Sequence, residues 1–408
     1  MRPVLAKPVV PNIVPHCLLF ILPSCLPAVS NLTNLLDSPY YCACFPRCLP
    51  LLLILGHLMF SSAMASARGT VLVTGANGTL GNAIVEQLSS DSRLTSYHAI
   101  YTVRDATRVE NLPSDGIHEV VSLDLTKPDN VREVAKDINW HGLPARVSSG
   151  EIPPIRALIL AAGYLDFGKQ SCTSDGIDIT FAANYLGHWL LTLMLLESMD
   201  KTAGRIVYIG SQAQDVNDAR NNATGAFPDP KYKTFITDAE SFKAIAKGAW
   251  GGGPEEPGYR TGFRRYGASK FFLVTMQHEL QARLDADPQL NRLCVIGVDP
   301  GNMASGLQRL APWFIRVVIW QIVYPFLLRV MPSRAPLRQP SRPAGEVLEV
   351  AFGLKEESEL PKDEYFHERA LKETSKESQD PAKRTLVWKE TVNLAGLKEG
   401  DTALASWH

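Results

Sequence analysis

The sequence predicts an α/β fold, a doubly wound parallel sheet with helices on both faces, on three observations. Short aliphatic and β-branched runs recur at residues 71–73, 99–103, 120–123, 157–160 and 205–209, and buried parallel strands read as such runs. Helical patterns separate them, beginning at Asn82, where Ala83, Ile84, Val85 and Leu88 are apolar. Strands alternating with helices imply crossovers and therefore a parallel sheet. A glycine-rich turn, Thr74-Gly75-Ala76-Asn77-Gly78-Thr79-Leu80-Gly81, joins the first strand to the first helix.

Composition sets the outer bounds. Of 408 residues, 45% are hydrophobic and 20% charged, the balance of an ordinary globular protein. The formal net charge is −1, from 41 basic and 42 acidic residues. That leaves no overall basic field for nucleic acid, which is dropped as a partner. Seven cysteines are too few for a disulfide scaffold of this length.

The first 63 residues differ sharply from the rest. They hold one acid, three bases, nine prolines and five of the seven cysteines. Residues 64–408 retain only Cys172 and Cys294, as expected of a cytoplasmic domain with reduced thiols. Residues 49–60 are apolar, but a membrane-spanning helix needs about 18 such residues. Small residues follow at 61–65, which suits signal cleavage. The segment 1–63 therefore reads as a signal or anchor, as a leader, or as sequence outside the working protein. Met64 begins a natural start, MASARGTVLVTGANG. Cys42, Cys44 and Cys48 have no His or Cys partners at ligand spacing, so no metal site is expected.

The glycine turn has the strand before and the helix after that a dinucleotide-binding loop requires. Gly75, Gly78 and Gly81 allow a tight turn and close approach of backbone N–H groups to a pyrophosphate. Asn77, Thr79 and Leu80 complete the loop, and the helix N-terminus adds donors and a favourable dipole. A 2′-hydroxyl of NAD wants an acid at the end of the second strand, about 20 residues on. Here Val103 stands at that place, followed by Arg104. An arginine suits a 2′-phosphate, so NADP(H) is expected over NAD(H), unless Asp105 pairs with Arg104. Asp124 and Leu125 end the third strand, where an acid can accept from the adenine amine. Ala161-Ala162-Gly163 end the fourth, and their small size lets backbone approach the cofactor.

Ser211 follows the fifth strand, and Tyr266 and Lys270 lie four apart on one helical face. A phenol of pKa about 10 is too weak a base at neutral pH. A neighbouring ammonium favours the phenolate and tunes it for proton transfer at an alcohol oxygen.

With these residues assembled, the chain resembles the short-chain dehydrogenases/reductases, NAD(P)-dependent oxidoreductases of Rossmann type. The resemblance covers roughly residues 67–402. It rests on the TGANGTLG loop, Asp124, the AAG turn, Asn184 in NYLGH, Ser211, Tyr266 with Lys270, and Pro300-Gly301 after the sixth strand. It implies that Tyr266 is the general acid/base, that Ser211 bonds the substrate carbonyl, and that Lys270 grips the nicotinamide ribose and lowers the tyrosine pKa. Asn184 would hold a water of the proton relay. Pro300, Gly301 and Ser305 would face the nicotinamide, Ser305 standing where the family usually has a threonine.

Three departures stand out. The spacing Gly75-x-x-Gly78-x-x-Gly81 is not the family's commonest at this size. Ser211 and Tyr266 are 55 residues apart, so an insert of about 212–265 lies where the family has a short loop. Both its ends sit at the carboxyl edge of the sheet, which predicts a cap over the substrate pocket. The insert and the ending PGYRTGFRRYGASK resemble a group of fungal reductases, some of which tailor secondary metabolites. The leader, finally, has no family counterpart.

From Pro300 to Gly345 there are six arginines and no acid. Residues 302–345 therefore read as a substrate lid, and 312–331 as a candidate for membrane-surface contact or a homo-oligomer interface. The charged tail offers a short edge strand at Tyr365-Phe366 and nothing catalytic. The expected function is an NADP(H)-dependent carbonyl/alcohol oxidoreductase on a fairly apolar small molecule. The rival is a non-catalytic NADP(H)-binding sensor or scaffold.

Overall fold

Val71, Leu72 and Val73 are wholly buried at the centre of β1 (Thr70–Thr74) in the computed structural model of the chain. The structure describes residues 67–408 apart from 110, 140–145, 253–255, 257, 304–322, 324–328, 331–337 and 354–359. The expectations for residues 1–63, for Met64, for Ser305 and for nearly all of 312–331 fall outside the described residues.

Every expected run forms a strand. β1 is followed by β2 (His98–Val103), β3 (His118–Ser122), β4 (Ile155–Leu160), β5 (Arg205–Ile209) and β6 (Cys294–Asp299). They lie parallel in the order β3-β2-β1-β4-β5-β6. β7 (Tyr365–His367) joins β6 in parallel, and β8 (Ala370–Leu371) closes the eight-stranded sheet antiparallel to β7. Tyr365-Phe366 is thus a strand but not the edge; β8 takes that place.

Alternation along β1 divides the core. Val71 and Val73 face α1 (Thr79–Ser90) and α6 (Ser341–Phe352). Leu72 faces the layer of α2 (Pro128–Asn139), α3 (Ile179–Ser198) and α5 (Tyr259–Ala286). α3 is apolar and long enough to cross a membrane, yet 94% of its most apolar window is buried inside the molecule. Its hydropathy is that of a core helix. A π turn at Ala182–Leu186 interrupts it, a feature frequent at functional sites.

The insert is part of this core. Phe227, Phe235 and Phe242, the last on α4 (Ala239–Ala246), are buried in the cluster that holds Phe271 and Phe272 of α5. Phe235 stacks on Phe271 with ring centroids 4.6 Å apart. The last residues of the insert, from Tyr259, are the opening turns of α5 itself. β1 and β4 are neighbours whose crossovers leave in opposite directions, and a ligand crevice is expected at that switch point.

Candidate active site

A cavity of about 780 Å³ opens there, at the carboxyl ends of β1, β2, β4, β5 and β6. It gathers Gly75, Asn77, Gly78, Thr79, Leu80 and Gly81 from the glycine turn, Arg104 after β2, and Asp124 and Leu125 after β3. Ala162 and Gly163 come from the end of β4, Ser211 from the end of β5, Tyr266 and Lys270 from α5, and Pro300 and Gly301 from the end of β6. Residues far apart in the chain thus line one space.

Gly75 shows why the turn needs its glycine. Its φ is +66°, and a Cβ there would lie 2.7 Å from Ala162 Cα. The glycine turn and the AAG turn touch backbone to backbone. Ala76 N and Gly78 N are taken by the Thr102 and Gly75 carbonyls, and the first turn of α1, from Thr79, presents the helix N-terminus that suits a pyrophosphate. Arg104 stands exposed at the rim of the cavity. Asp105 does not take it: its carboxylate pairs with Arg108 at 3.0 Å and caps Thr107 N. Asp124 accepts from Thr126 N and Thr126 Oγ1 at 3.1 and 2.7 Å, which fixes the turn after β3.

At the far side, Tyr266 and Ser211 line the same wall of the cavity, close enough for the Ser211 side chain to act on the phenol. Burial pushes the phenol well above its ordinary range, the Ser211 side chain opposes this, and the Asp299 carboxylate adds to it. Lys270 is also fully enclosed, and desolvation lowers it from 10.5 to about 8. Its ammonium donates to the Ile209 carbonyl at 2.7 Å and lies 5.5 Å from the centre of the Tyr266 ring. Lys270 is not among the groups that shift the phenol in this structure. Burial dominates the phenol, and the lysine is turned toward a backbone carbonyl.

Asn184 stands behind the cavity wall. It is wholly buried in the π turn, and its side chain does not line the cavity. Its Oδ1 accepts from Tyr164 N at 2.7 Å; its Nδ2 donates to Tyr164 O and to Ser269 Oγ, both at 2.9 Å. The side chain fastens the cavity wall through the Tyr164 backbone. The Asn184 carbonyl contacts His188 Nδ1 at 3.0 Å, and His188 Nε2 meets Thr74 Oγ1 at 2.9 Å. Desolvation lowers His188 to about 4, so the ring is neutral at physiological pH.

Residues 69–226 match the short chain dehydrogenase family. The short-chain dehydrogenase iccH of Talaromyces variabilis is 35% identical over 367 residues, covering 83% of this chain and 99% of the relative. The chain belongs to the short-chain dehydrogenase/reductase family.

This short-chain dehydrogenase/reductase is an oxidoreductase acting on a small molecule, in a family that binds NAD(P)(H). It is also 30% identical over 194 residues to oxidoreductase fscI of Fusarium equiseti, covering 44% of this chain and 68% of that one. Its fold is that of an uncharacterized protein from Mycobacterium paratuberculosis, with a TM-score of 0.51, 20% identity, and 81% and 95% of the two chains covered.

Three parts of the dehydrogenase/reductase site were not foreseen. The first is Tyr365 on β7, whose hydroxyl accepts from Ser211 N at 3.1 Å and donates to Ser211 O at 3.4 Å. The second is a charged cluster around Asp299. Arg220 of the insert reaches Asp299 Oδ2 at 3.0 Å while also holding Asp218, and His367 approaches the same oxygen at 3.3 Å. Burial raises Asp299, but His367, Arg220 and the Gly301 N–H together bring it below the usual carboxylate range. This ties the insert to the turn that carries Pro300 and Gly301.

The third part is the outer wall, made by Phe167, Tyr259 and Phe263. Phe167 has a φ of 51°, strained for a non-glycine residue. Neighbouring contacts hold it there: Gly168 N donates to Asp166 Oδ1 at 2.6 Å. Asp166 in turn forms a buried two-bond pair with Arg265, at 2.8 and 3.0 Å. Gly168 also crosses Gly258 so closely that a Cβ would sit 2.0 Å from the Gly258 carbonyl oxygen. The insert thus supplies Arg220, Ala223, Thr224, Tyr259 and Phe263 to the cavity.

Proposed function

We propose that the enzyme is an NADP(H)-dependent oxidoreductase that interconverts a carbonyl and an alcohol on a fairly apolar small molecule, with a secondary-metabolite intermediate as the candidate class. The observation that carries this reading is that Tyr266, Ser211 and Lys270 line the same cavity as the glycine turn. Two hydroxyls side by side can both point protons at one substrate oxygen, and a ketone oxygen that gains negative charge is stabilised by both. The phenol, raised by burial, is protonated at neutral pH, which suits donation in the reductive direction. Lys270, near balance at about 8, can lose and regain a proton beside it. Asn184 acts as a positioning residue for the Tyr164 wall.

The glycine turn and the α1 N-terminus would hold the pyrophosphate of the dinucleotide, Asp124 and Leu125 its adenine, Lys270 the nicotinamide ribose, and Pro300 and Gly301 the nicotinamide. When bound, the dinucleotide supplies or accepts the hydride. The apolar and aromatic wall supports a hydrophobic substrate. The direct test is oxidation of NADPH, beside NADH, with a panel of ketones and aldehydes. Absence of any carbonyl-dependent oxidation overturns the reading.

NADP(H) preference rests on Arg104, a rim cation that Asp105 leaves to solvent. A charge-assisted pair with the 2′-phosphate is worth about 1.5–3 kcal/mol, roughly a ten- to hundredfold preference. Arg104→Ala is expected to erase most of it and leave NAD(H) binding nearly unchanged. Dissociation constants of both cofactors on both proteins check this, and parallel losses would assign Arg104 to the surface alone.

A chain begun at Met64 is expected to fold and to turn over like the full chain, because the composition breaks there and β1 begins at Thr70. Soluble yield and NADPH oxidation of the two chains, measured together, check this. Localisation in the cytoplasm is the corresponding expectation, and fractionation of cells tests it.

A further inference from the structure

Tyr259, Phe263, Tyr266 and Lys270 are spaced i, i+4, i+7 and i+11, so one stripe of α5 brings all four to the cavity. Lys270 and Tyr266 belong to the reacting end. Phe263 and Tyr259 continue the stripe outward. Phe263 lies 6.1 Å from Tyr266, Tyr259 5.5 Å from Phe263, and Phe167 5.4 Å from Tyr259, all between ring centroids. Three rings in a row form a rigid apolar wall that loses little entropy on binding a flat partner.

Among the described residues the Tyr259 hydroxyl has no hydrogen-bond partner, although the residue is half-buried and lines the cavity. The hydroxyl is not sealed off, so it is open to a partner that enters the cavity. Burial alone pushes this phenol up to about 12, so it is a donor at physiological pH. Seven residues of helix at 1.5 Å rise place the Tyr259 Cα about 10 Å along the axis from that of Tyr266.

We propose that the outer half of the cavity takes a planar aromatic or conjugated ring system stacked against Phe263 and Phe167, with an oxygen substituent about 10 Å from the reduced carbonyl that accepts a hydrogen bond from Tyr259. This rests on the carbonyl-reductase reading above. Tyr259 is then a specificity-determining residue with no part in the chemistry.

The probes are 4-acetylbiphenyl and 4-acetyl-4′-hydroxybiphenyl, whose ketone and phenol are separated by a similar span. A methyl ketone of the same carbon skeleton, fully saturated, is the third. Binding is measured by calorimetry on the enzyme–NADP⁺ complex, so the result does not depend on turnover. The expected result is that the hydroxylated ketone binds about 3–10-fold tighter than its parent, the worth of one hydrogen bond. Tyr259→Phe removes that ratio while leaving the parent ketone and NADP⁺ unaffected. Phe263→Leu weakens both biaryls more than the saturated ketone. A ratio that persists in Tyr259→Phe, or a saturated ketone that binds as tightly as the biaryls, overturns the inference. Binding that follows the expected pattern with no NADPH oxidation on any carbonyl leaves the subsite standing and overturns the reductase reading.

Discussion

Tyr266→Phe is expected to lower kcat for ketone reduction by about 10²–10⁴-fold, the range that a positioned proton donor contributes. The ring keeps its place: it is buried on α5 beside Phe263, and phenylalanine fills the same volume. Only the hydroxyl and its transferable proton go. The NADPH dissociation constant should therefore stay within about threefold, less than one neutral hydrogen bond is worth. Steady-state rates and fluorescence titration on the two proteins separate these quantities. A variant that keeps most of its activity would remove Tyr266 from the chemistry.

Lys270→Met is expected to move activity and stability in opposite directions. Activity falls because the ammonium that would hold the nicotinamide ribose is gone; one charged hydrogen bond corresponds to roughly 10–100-fold in kcat/KM. Stability rises because burial of that ammonium is costly. Its pKa falls from 10.5 to about 8, which at 1.36 kcal/mol per pH unit corresponds to a penalty of up to about 3 kcal/mol. The sign follows from proton counts. Below pH 8 both folded and unfolded lysine are charged, and the penalty is complete. Between about 8 and 10.5 only the unfolded chain holds the proton, so wild-type stability rises with pH. The lead of the methionine variant should therefore be largest at neutral pH and shrink toward 10.5. Urea midpoints at three pH values measure it. A variant less stable than wild type at pH 7 would mean that the packing of the lysine stem outweighs its charge.

The sheet was legible because each strand is a short apolar run between turn residues, and period and length alone identify such runs. Tyr365-Phe366 was harder: three residues of strand carry little periodicity, and the two residues of β8 beyond them carry none. The glycine-lined half of the cavity was legible because Gly75 and Ala162 meet through backbone, and backbone needs announce themselves as glycine and alanine. The reacting pair showed itself as a spacing on one helix. Long-range polar contacts left no such trace. Nothing near Tyr365 in the chain points to Ser211, and nothing near Arg220 points to Asp299. The balance of burial and charge at the tyrosine was illegible for a related reason. Spacing places two groups on one face, but burial and the direction of the ammonium are properties of the whole enclosure.

The crossing of Gly168 over Gly258, locked by Asp166 and Arg265, bears on how such enzymes can diversify. An insertion that merely hung from the sheet could be exchanged between paralogues as a cassette. This one hands its last residues directly to the helix that bears Tyr266. Trimming or grafting it would change the helical phase of the tyrosine and unseat Arg265 together. Chimeras that swap residues 212–257 while keeping Asp166, Gly168 and everything from Gly258 onward preserve both, whereas junctions drawn inside α5 do not. New substrate ranges in this lineage should therefore arise by point changes along the inner stripe of the helix, with the length of the excursion held nearly fixed.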